Sequence, residues 1–547
     1  MPPAGSICAG AQRSRPGFGD ILPHLLLVCM GLMLWLLFVL DAPSISLVSL
    51  SNLASIYALA TVIMVGRVSP RGFWSAASLY LIILSLFHFG LTSIFGLNLP
   101  IGGNTQTNLE TWFYTPYTNE AIVLSCIGIV SAGMGCLIAF LWGARAPEHI
   151  SMPPAASVSA KQVSICVPRR ATRGGTAPKP CQTYGYLLSG ASTKSASFPG
   201  PEETVRQVSD TREDQPCEYG ISLPDAPLSE HILDQALKIG GSTLVGVSIC
   251  GWFLIVIRAG GIGILFSSYE TMLQVVGEST LLTFTYYGIF IGIILLATAQ
   301  PSLLRRAGFI IFGLWGLVAL GLGLRSEVLF PTVTALVIIA KRKPLFSARV
   351  ALILGVVLLS SIAAIRAVRE VGIQNAASAT VSASPLDGLT ELGSSLRPVT
   401  ETIYWRATGE PFIYGASYLE PFERQLINLI PQRNWKRLPA EEDPLVLSSL
   451  AAIRTKGQIG YSPIAEGYRN FSTVGVVLIM GLTGWLIGRM DLWPATPVRQ
   501  ALLGVVFVPI LVEVRNDFTA VPFQVVVGCC VLGLVVLITR SIARIRQ

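Results

Sequence analysis

Charge is scarce in this chain. Only 13% of its residues are Asp, Glu, Lys or Arg, while 52% are hydrophobic. A soluble domain carries roughly 25% charged residues. With a mean hydropathy of +0.61, an ordinary soluble domain is excluded and an integral membrane protein is indicated. Histidine is also rare, at four residues, and no Cys-x-x-Cys or His-x-x-x-His spacing occurs, so the sequence offers no metal site. Of the ten cysteines, Cys29, Cys126, Cys136, Cys250, Cys529 and Cys530 fall in apolar runs. Cys8, Cys166, Cys181 and Cys217 fall in segments read below as cytoplasmic, which argues against a disulfide framework. A Walker-type loop and every other nucleotide signature are missing, so ATP-driven chemistry has no support. So are internal repeats of the kind that build paired transporter halves. The excess of basic residues (net charge +8) sits mostly in short loops between apolar runs, as expected for topology setting rather than nucleic-acid binding.

What the chain does have is apolar runs near the roughly 20 residues needed to cross the hydrocarbon core. They lie at about 22–40, 45–66, 73–97, 120–142, 242–259, 281–299, 307–323, 327–340, 347–364, 472–489, 498–513 and 520–540. Arg13 and Arg15 precede the first, which reads as a span rather than a cleaved signal. The run 307–340 is too long for one crossing and is broken at GLGLRSEV, which suits a tight turn between two helices. The fold class is therefore all-α polytopic membrane protein, with about 12 transmembrane helices and a large, partly helical extracytoplasmic loop.

Orientation follows from the short loops. Those after even-numbered spans carry Arg67 and Arg71, then Arg305 and Arg306, then Lys341, Arg342, Lys343 and Arg349, then Arg489 and Arg499. The loop after the third span has no Lys or Arg. Positive residues accumulate on the cytoplasmic side, so both termini are placed there, in the cytoplasmic (inner) membrane. The organisation expected is helices one to four in 1–142, an insert in 143–241, helices five to nine in 242–364, an outer loop in 365–471 and helices ten to twelve in 472–547.

The two long polar segments differ in kind. Segment 143–241 is rich in Pro, Ser, Ala, Gly and Thr, lacks apolar periodicity and reads as a disordered cytoplasmic linker. Segment 365–471 mixes aromatics with eleven basic and eleven acidic residues, and has neither His nor Cys. That composition can fold against a membrane surface, with short helices expected near 394–408 and 415–430.

Charges near the outer ends of spans are the candidate site, because an Arg at a helix centre costs about 2.5–3.5 kcal/mol on insertion scales. Arg325 sits in the turn with Gly321 and Gly323 before it; the alternative is a solvated charge or an Arg325–Glu327 pair. Arg515 lies in LVEVRNDF between Glu513 and Asp517; the alternative is a loop with internal pairing. Arg366 and Arg369 follow the ninth span at a spacing of three, which puts two guanidiniums on one helix face. They suit phosphate oxygens, or equally a belt on lipid headgroups. Arg397, Glu401 and Trp405 follow one another at spacings of four, so on a helix they share a face. Such a face can hold a sugar, the ring stacking on Trp405; the alternative is an amphipathic helix with one ion pair. Finally, SPIAEGYRNFSTVG gathers Glu466, Tyr468, Arg469 and Asn470 where the chain re-enters the membrane, either as a site or as a headgroup anchor.

These features carry a family resemblance. The chain resembles the polytopic O-antigen polymerases of the Wzy type, the oligosaccharide repeat-unit polymerases. The resemblance rests on GLGLRSEV with Gly323 and Arg325, the short basic inner loops, and one large outer loop late in the chain. It also rests on RPVTETI and FIYGASYLEPF within that loop, and on AEGYRNFSTVGVVLIMGLTG after it. The family often has Gly at the position of Ser472. The resemblance implies a membrane glycosyltransferase that works on the outer face and needs no metal, cofactor or nucleotide sugar. Its substrate is an oligosaccharide repeat unit on undecaprenyl pyrophosphate, and the growing chain passes to the non-reducing end of the incoming unit. It also implies membrane lipid, a chain-length regulator and a flippase as partners, and no nucleic acid. O-antigen ligases and peptidoglycan polymerases of the shape, elongation, division and sporulation class are related folds.

The residues favour the same chemistry in one respect. A departing pyrophosphate develops negative charge, which preorganised cations stabilise. Arg325, Arg366, Arg369, Arg397, Arg469 and Arg515 supply cations on the required face, with Trp405 as a sugar platform. Glu401 and Glu466 are the candidate bases for the acceptor hydroxyl; the alternative is that the departing phosphate takes the proton. Two other classes are weighed against this reading. An O-antigen ligase tends to carry a functional His in its outer loop, and none occurs here. A transporter concentrates ionisable groups at the bilayer midplane, whereas here they collect at the rim.

Overall fold

The computed structural model describes residues 21–32, 45–100, 112–145, 230–371, 384–429 and 442–545, apart from positions 26, 30, 268, 277–278, 344, 346–347 and 458. The chain divides into a compact unit of Met1–Arg145 with Ala226–Gln547 and a second unit, Ala146–Asp225. The second lies outside the described residues, as do most of the expected insert and much of the expected first span.

Every regular element among the described residues is helical. Helices α1 (Leu47–Val68), α2 (Ala76–Gly96) and α3 (Thr118–Arg145) come first. Then follow α4 (Glu230–Gly260), α5 (Tyr269–Val276), α6 (Thr280–Thr298), α7 (Leu303–Gly321), α8 (Arg325–Ala340) and α9 (Ala348–Val371). The polar segment contributes α10 (Pro385–Leu392), α11 (Leu396–Ala407), α12 (Ala416–Leu429) and α13 (Leu447–Thr455). Helices α14 (Pro463–Asp491), α15 (Pro497–Glu513) and α16 (Val521–Ile545) close the chain.

Eight helices among the described residues are long and apolar enough to cross a membrane, against the twelve spans expected. Helices α8 and α15 are apolar but run only 16 and 17 residues. In α9 the apolar stretch is confined to Ile353–Ala364. Helix α4 starts at Glu230, inside the stretch read as insert, because Leu233, Leu237 and Gly241 already form a buried stripe there.

The tightest packing joins α3 to α14, and small residues permit it. A Cβ on Gly484 would lie 1.9 Å from the carbonyl oxygen of Ala132, and one on Gly135 would lie 2.0 Å from that of Gly481. The backbones therefore touch, as small residues allow between membrane helices. The same device seats the polar segment. A Cβ on Gly388 of α10 would meet the Leu359 carbonyl oxygen of α9 at 2.0 Å. One on Gly393, just after α10, would meet the Leu91 nitrogen of α2 at 2.0 Å. Helix α10 is thus wedged between α2 and α9.

Helix α14 is two helices in sequence. Phe471 (φ −138°, ψ 23°) and Ser472 (φ 62°, ψ −158°) leave helical geometry. Pro463–Asn470 is one short helix, capped by the Ser462 hydroxyl accepting from the Ala465 N–H, and the membrane-length part follows the break.

Opposite helix ends meet in polar clusters. At one end the Asp491 carboxylate, at the end of α14, accepts from the N–H groups of Ala76 (3.0 Å) and Ala77 (2.8 Å) at the start of α2. This satisfies donors that a helix leaves open. Lys341, after α8, donates to the Met490 carbonyl at 2.7 Å. The starts of α8 and α14 and the helices of the polar segment lie at the other end.

Candidate functional site

Two buried arginines dominate that other end. Arg325 opens α8 after a turn in which Gly323 has φ +87°, a left-handed conformation that glycine adopts freely. The residue is 4% exposed. Its Nη2 donates to Glu391 Oε1 of α10 at 2.7 Å, and its Nη1 is buried without a protein partner. The wedge that seats α10 therefore also supplies the carboxylate that holds Arg325. Glu327, one possible partner from sequence, instead accepts from the Ser326 hydroxyl at 2.9 Å, and lies within electrostatic range of both Arg325 and Arg515.

Arg469 lies on the short helix of α14 and is 6% exposed. Its Nη2 donates to Glu410 Oε2 at 2.6 Å, while Nε and Nη1 are buried without protein partners. Arg454 of α13 binds the other oxygen of Glu410, and its guanidinium lies 4.7 Å from the centre of the Trp405 ring. Arg515 joins the two regions. Its carbonyl accepts from the Tyr461 N–H at 2.9 Å, next to Gly460 at φ +72°, and the Tyr461 ring lies within range of the charge on Arg469.

Beneath this rim lies a buried acidic and phenolic layer. Glu466 is fully buried. Its Oε1 accepts from the Ser417 hydroxyl at 2.6 Å and its Oε2 from the Phe518 N–H at 2.8 Å. Asn470 donates to Ser417 (2.8 Å) and accepts from the Gly415 N–H (2.7 Å). One short helix thus ties down α12 and the turn before α16. Glu513 and Asp517 are buried nearby, with Asp517 accepting from the Ser448 N–H and hydroxyl. Tyr461 shares a hydrogen bond of 2.8 Å with Thr402. Burial raises the pKa of both Tyr418 and Tyr461, and the neighbouring Glu466 adds to each rise. Both phenols stay neutral, Tyr461 bonded to Thr402 and the Tyr418 hydroxyl buried without a hydrogen-bond partner among the described residues.

The remaining sequence candidates divide. Arg397 and Glu401 lie on α11, 3.8 Å apart, an ion pair too long for a hydrogen bond. Burial lowers the Arg397 pKa and raises that of Glu401, while each partner's charge opposes its shift. Trp405 completes their helical face but is only 3% exposed, covered by Arg454 instead of open to a sugar. Arg366 and Arg369 fall in the last turns of α9, and their side chains lie outside the described residues. Glu391, Glu410, Tyr418 and Tyr461 were not singled out from sequence. Only the Gly409–Glu410 stop after α11 offered a local signal.

A model of the O-antigen polysaccharide polymerase Wzy family matches residues 229–544, more than half of the chain. The chain belongs to that family. The arginines and carboxylates described above fall inside the Wzy-family match, while α1–α3 precede it and α3 reaches the site through Glu120, which shares a hydrogen bond with Tyr468. The chain is also 27% identical to Protein CapE of Staphylococcus aureus over 140 residues. That match covers 25% of this chain and 30% of the length of that protein. No solved structure matches the chain.

Proposed function

We propose that this Wzy-family protein polymerises oligosaccharide repeat units carried on undecaprenyl pyrophosphate into a surface polysaccharide, at the outer face of the cytoplasmic membrane. The end bearing Arg325, Arg469 and Arg515 is the outer end, and the Asp491–Lys341 cluster is cytoplasmic. The observation that carries this reading is that two arginines, each nearly buried, keep guanidinium donors without protein partners beside a helical polar cover. A diphosphate has the charge and oxygen count to use them.

In the reaction, the acceptor hydroxyl oxygen forms a bond to the anomeric carbon of the growing chain. The bond from that carbon to the diphosphate oxygen breaks, and the lipid diphosphate leaves with the electron pair. Arg325, Arg469 and Arg515 stabilise the charge that develops there. We assign the acceptor proton to Glu401, whose carboxyl is partly open and held above its usual range by burial. Glu466 spends both oxygens on Ser417 and Phe518, and its role is to hold the cover in place. Arg397, beside Glu401 on α11, is proposed as a further anion contact, with Arg366 and Arg369 as candidates for the same role. Membrane lipid, a chain-length regulator and a flippase are the proposed partners.

Deleting the gene and resolving the surface polysaccharide on a gel tests this reading. Loss of the ladder, with single capped units remaining, is expected; an unchanged ladder would refute it.

A further inference from the structure

Helix α11 stops in a way that fixes one carboxylate. The Gly409 N–H bonds to the Arg406 carbonyl and the Glu410 N–H to the Trp405 carbonyl, both at 3.1 Å, with Gly409 at φ +100°. This pair of bonds is a Schellman stop, and it sets the backbone of Glu410 just past the helix. Arg406 closes on the Glu410 carbonyl, with its guanidinium 3.8 Å from the centre of the Phe412 ring. The Glu410 carboxylate then binds Arg454 of α13 and Arg469 of α14, one on each oxygen. Two guanidiniums thus share a single carboxylate, with a third on the main-chain carbonyl of the same residue, and the cluster keeps a net positive charge. A guanidinium presents five N–H donors in a rigid fork. Arg469 spends Nη2 on Glu410, and its Nε and Nη1 remain buried without protein partners.

We propose that Glu410 is a positioning residue for the transfer reaction, which rests on the polymerase reading above. It holds the plane of Arg469 so that Nε–H and Nη1–H meet the diphosphate of the lipid-linked substrate. Arg454 anchors Glu410 from the opposite side and keeps it from neutralising Arg469 completely. Glu410 acts on the substrate through Arg469.

The test is a double-mutant cycle on the full chain, purified in nanodiscs. The substrate is lipid-diphosphate oligosaccharide extracted from cells lacking this protein. Glu410→Gln is expected to lower kcat/KM by roughly 100-fold, the scale of a misplaced binding group, and Glu410→Asp to recover part of it. In an Arg469→Ala background, Glu410→Gln should change kcat/KM by no more than about twofold, because the group it positions is gone. If Glu410→Gln fails to fold, inorganic pyrophosphate inhibition of Glu410→Asp carries the test, with an expected rise of about tenfold in inhibition constant. An unchanged inhibition constant would overturn the proposal. So would full activity of Glu410→Gln, or the same proportional loss in both backgrounds. If the wild-type protein elongates nothing, the polymerase reading itself fails, and the proposal with it.

Discussion

A Cβ on Gly475 would lie 2.2 Å from the carbonyl oxygen of Gly467. Eight residues along a straight helix the two would stand about 12 Å apart, so the chain folds back on itself between them. The break at Phe471 and Ser472 is a hairpin, and it presses the short helix bearing Glu466, Arg469 and Asn470 against the start of the membrane helix. Gly475→Ala should therefore displace the short helix. The expected outcome is loss of polymer in cells with the protein still inserted, checked by immunoblot of membranes beside a polysaccharide gel.

Ser472 holds φ 62° and ψ −158°, a region that glycine enters without strain and other residues at about 1–3 kcal/mol. Ser472→Gly is expected to raise the unfolding midpoint in detergent. A lower midpoint would show that the serine hydroxyl contributes more than its backbone strain takes away.

Arg325→Lys preserves charge but not the planar fork. Lysine can still pair with Glu391, yet it cannot also fill the position of Nη1. At least about a tenfold loss of elongation is expected, with the protein still folded, since a charge-assisted hydrogen bond is worth roughly 1.5–3 kcal/mol. Wild-type elongation rates from this variant would remove Arg325 from the site.

Gly484→Val places new atoms where the Ala132 carbonyl stands. Helices α3 and α14 must part, at about 1–3 kcal/mol or more. A drop in unfolding midpoint and in membrane yield is expected, measured against the neighbouring Thr483→Val.

Lys341 carries a pH signature. Burial pulls its pKa down to about 8, with Arg71 adding to the fall and Asp491 opposing it. The unfolded lysine, near 10.5, binds its proton across a window in which the folded one does not. Stability should thus rise with pH between about 8 and 10.5. Thermal unfolding of Lys341→Met should lack that rise, and identical profiles for the two proteins would contradict the assignment.

The sequence showed the rim charges because charge stands out in an apolar chain. Arg325, Arg469 and Arg515 were all visible this way. Their partners were not, because pairing across 66 residues, as between Arg325 and Glu391, leaves no local pattern. The near neighbour Glu327 is one alternative partner that the sequence offers. Trp405 was legible as part of a helical face, but not its burial beneath Arg454, which depends on where α13 packs. The hairpin at Ser472 hid because FSTVGVVLIM reads as the smooth start of a span. Its traces in the sequence are Gly467 and Gly475. The count of twelve spans exceeds the eight long helices among the described residues because α8 and α15 are apolar yet short, the apolar stretch of α9 is confined to Ile353–Ala364, and much of the first expected span lies outside the described residues.

The bonds of Glu466 impose an order on biosynthesis. Its partner Ser417 is made 49 residues before it, but the Phe518 N–H follows 52 residues later. At about 5–20 residues per second, the carboxylate waits several seconds before its second oxygen is satisfied. Until the turn ahead of α16 emerges, the polar cover is only half fastened. The site is thus among the last parts of the protein to assemble, and a ribosome stalled before Phe518 leaves a membrane-embedded chain with its cover unlocked.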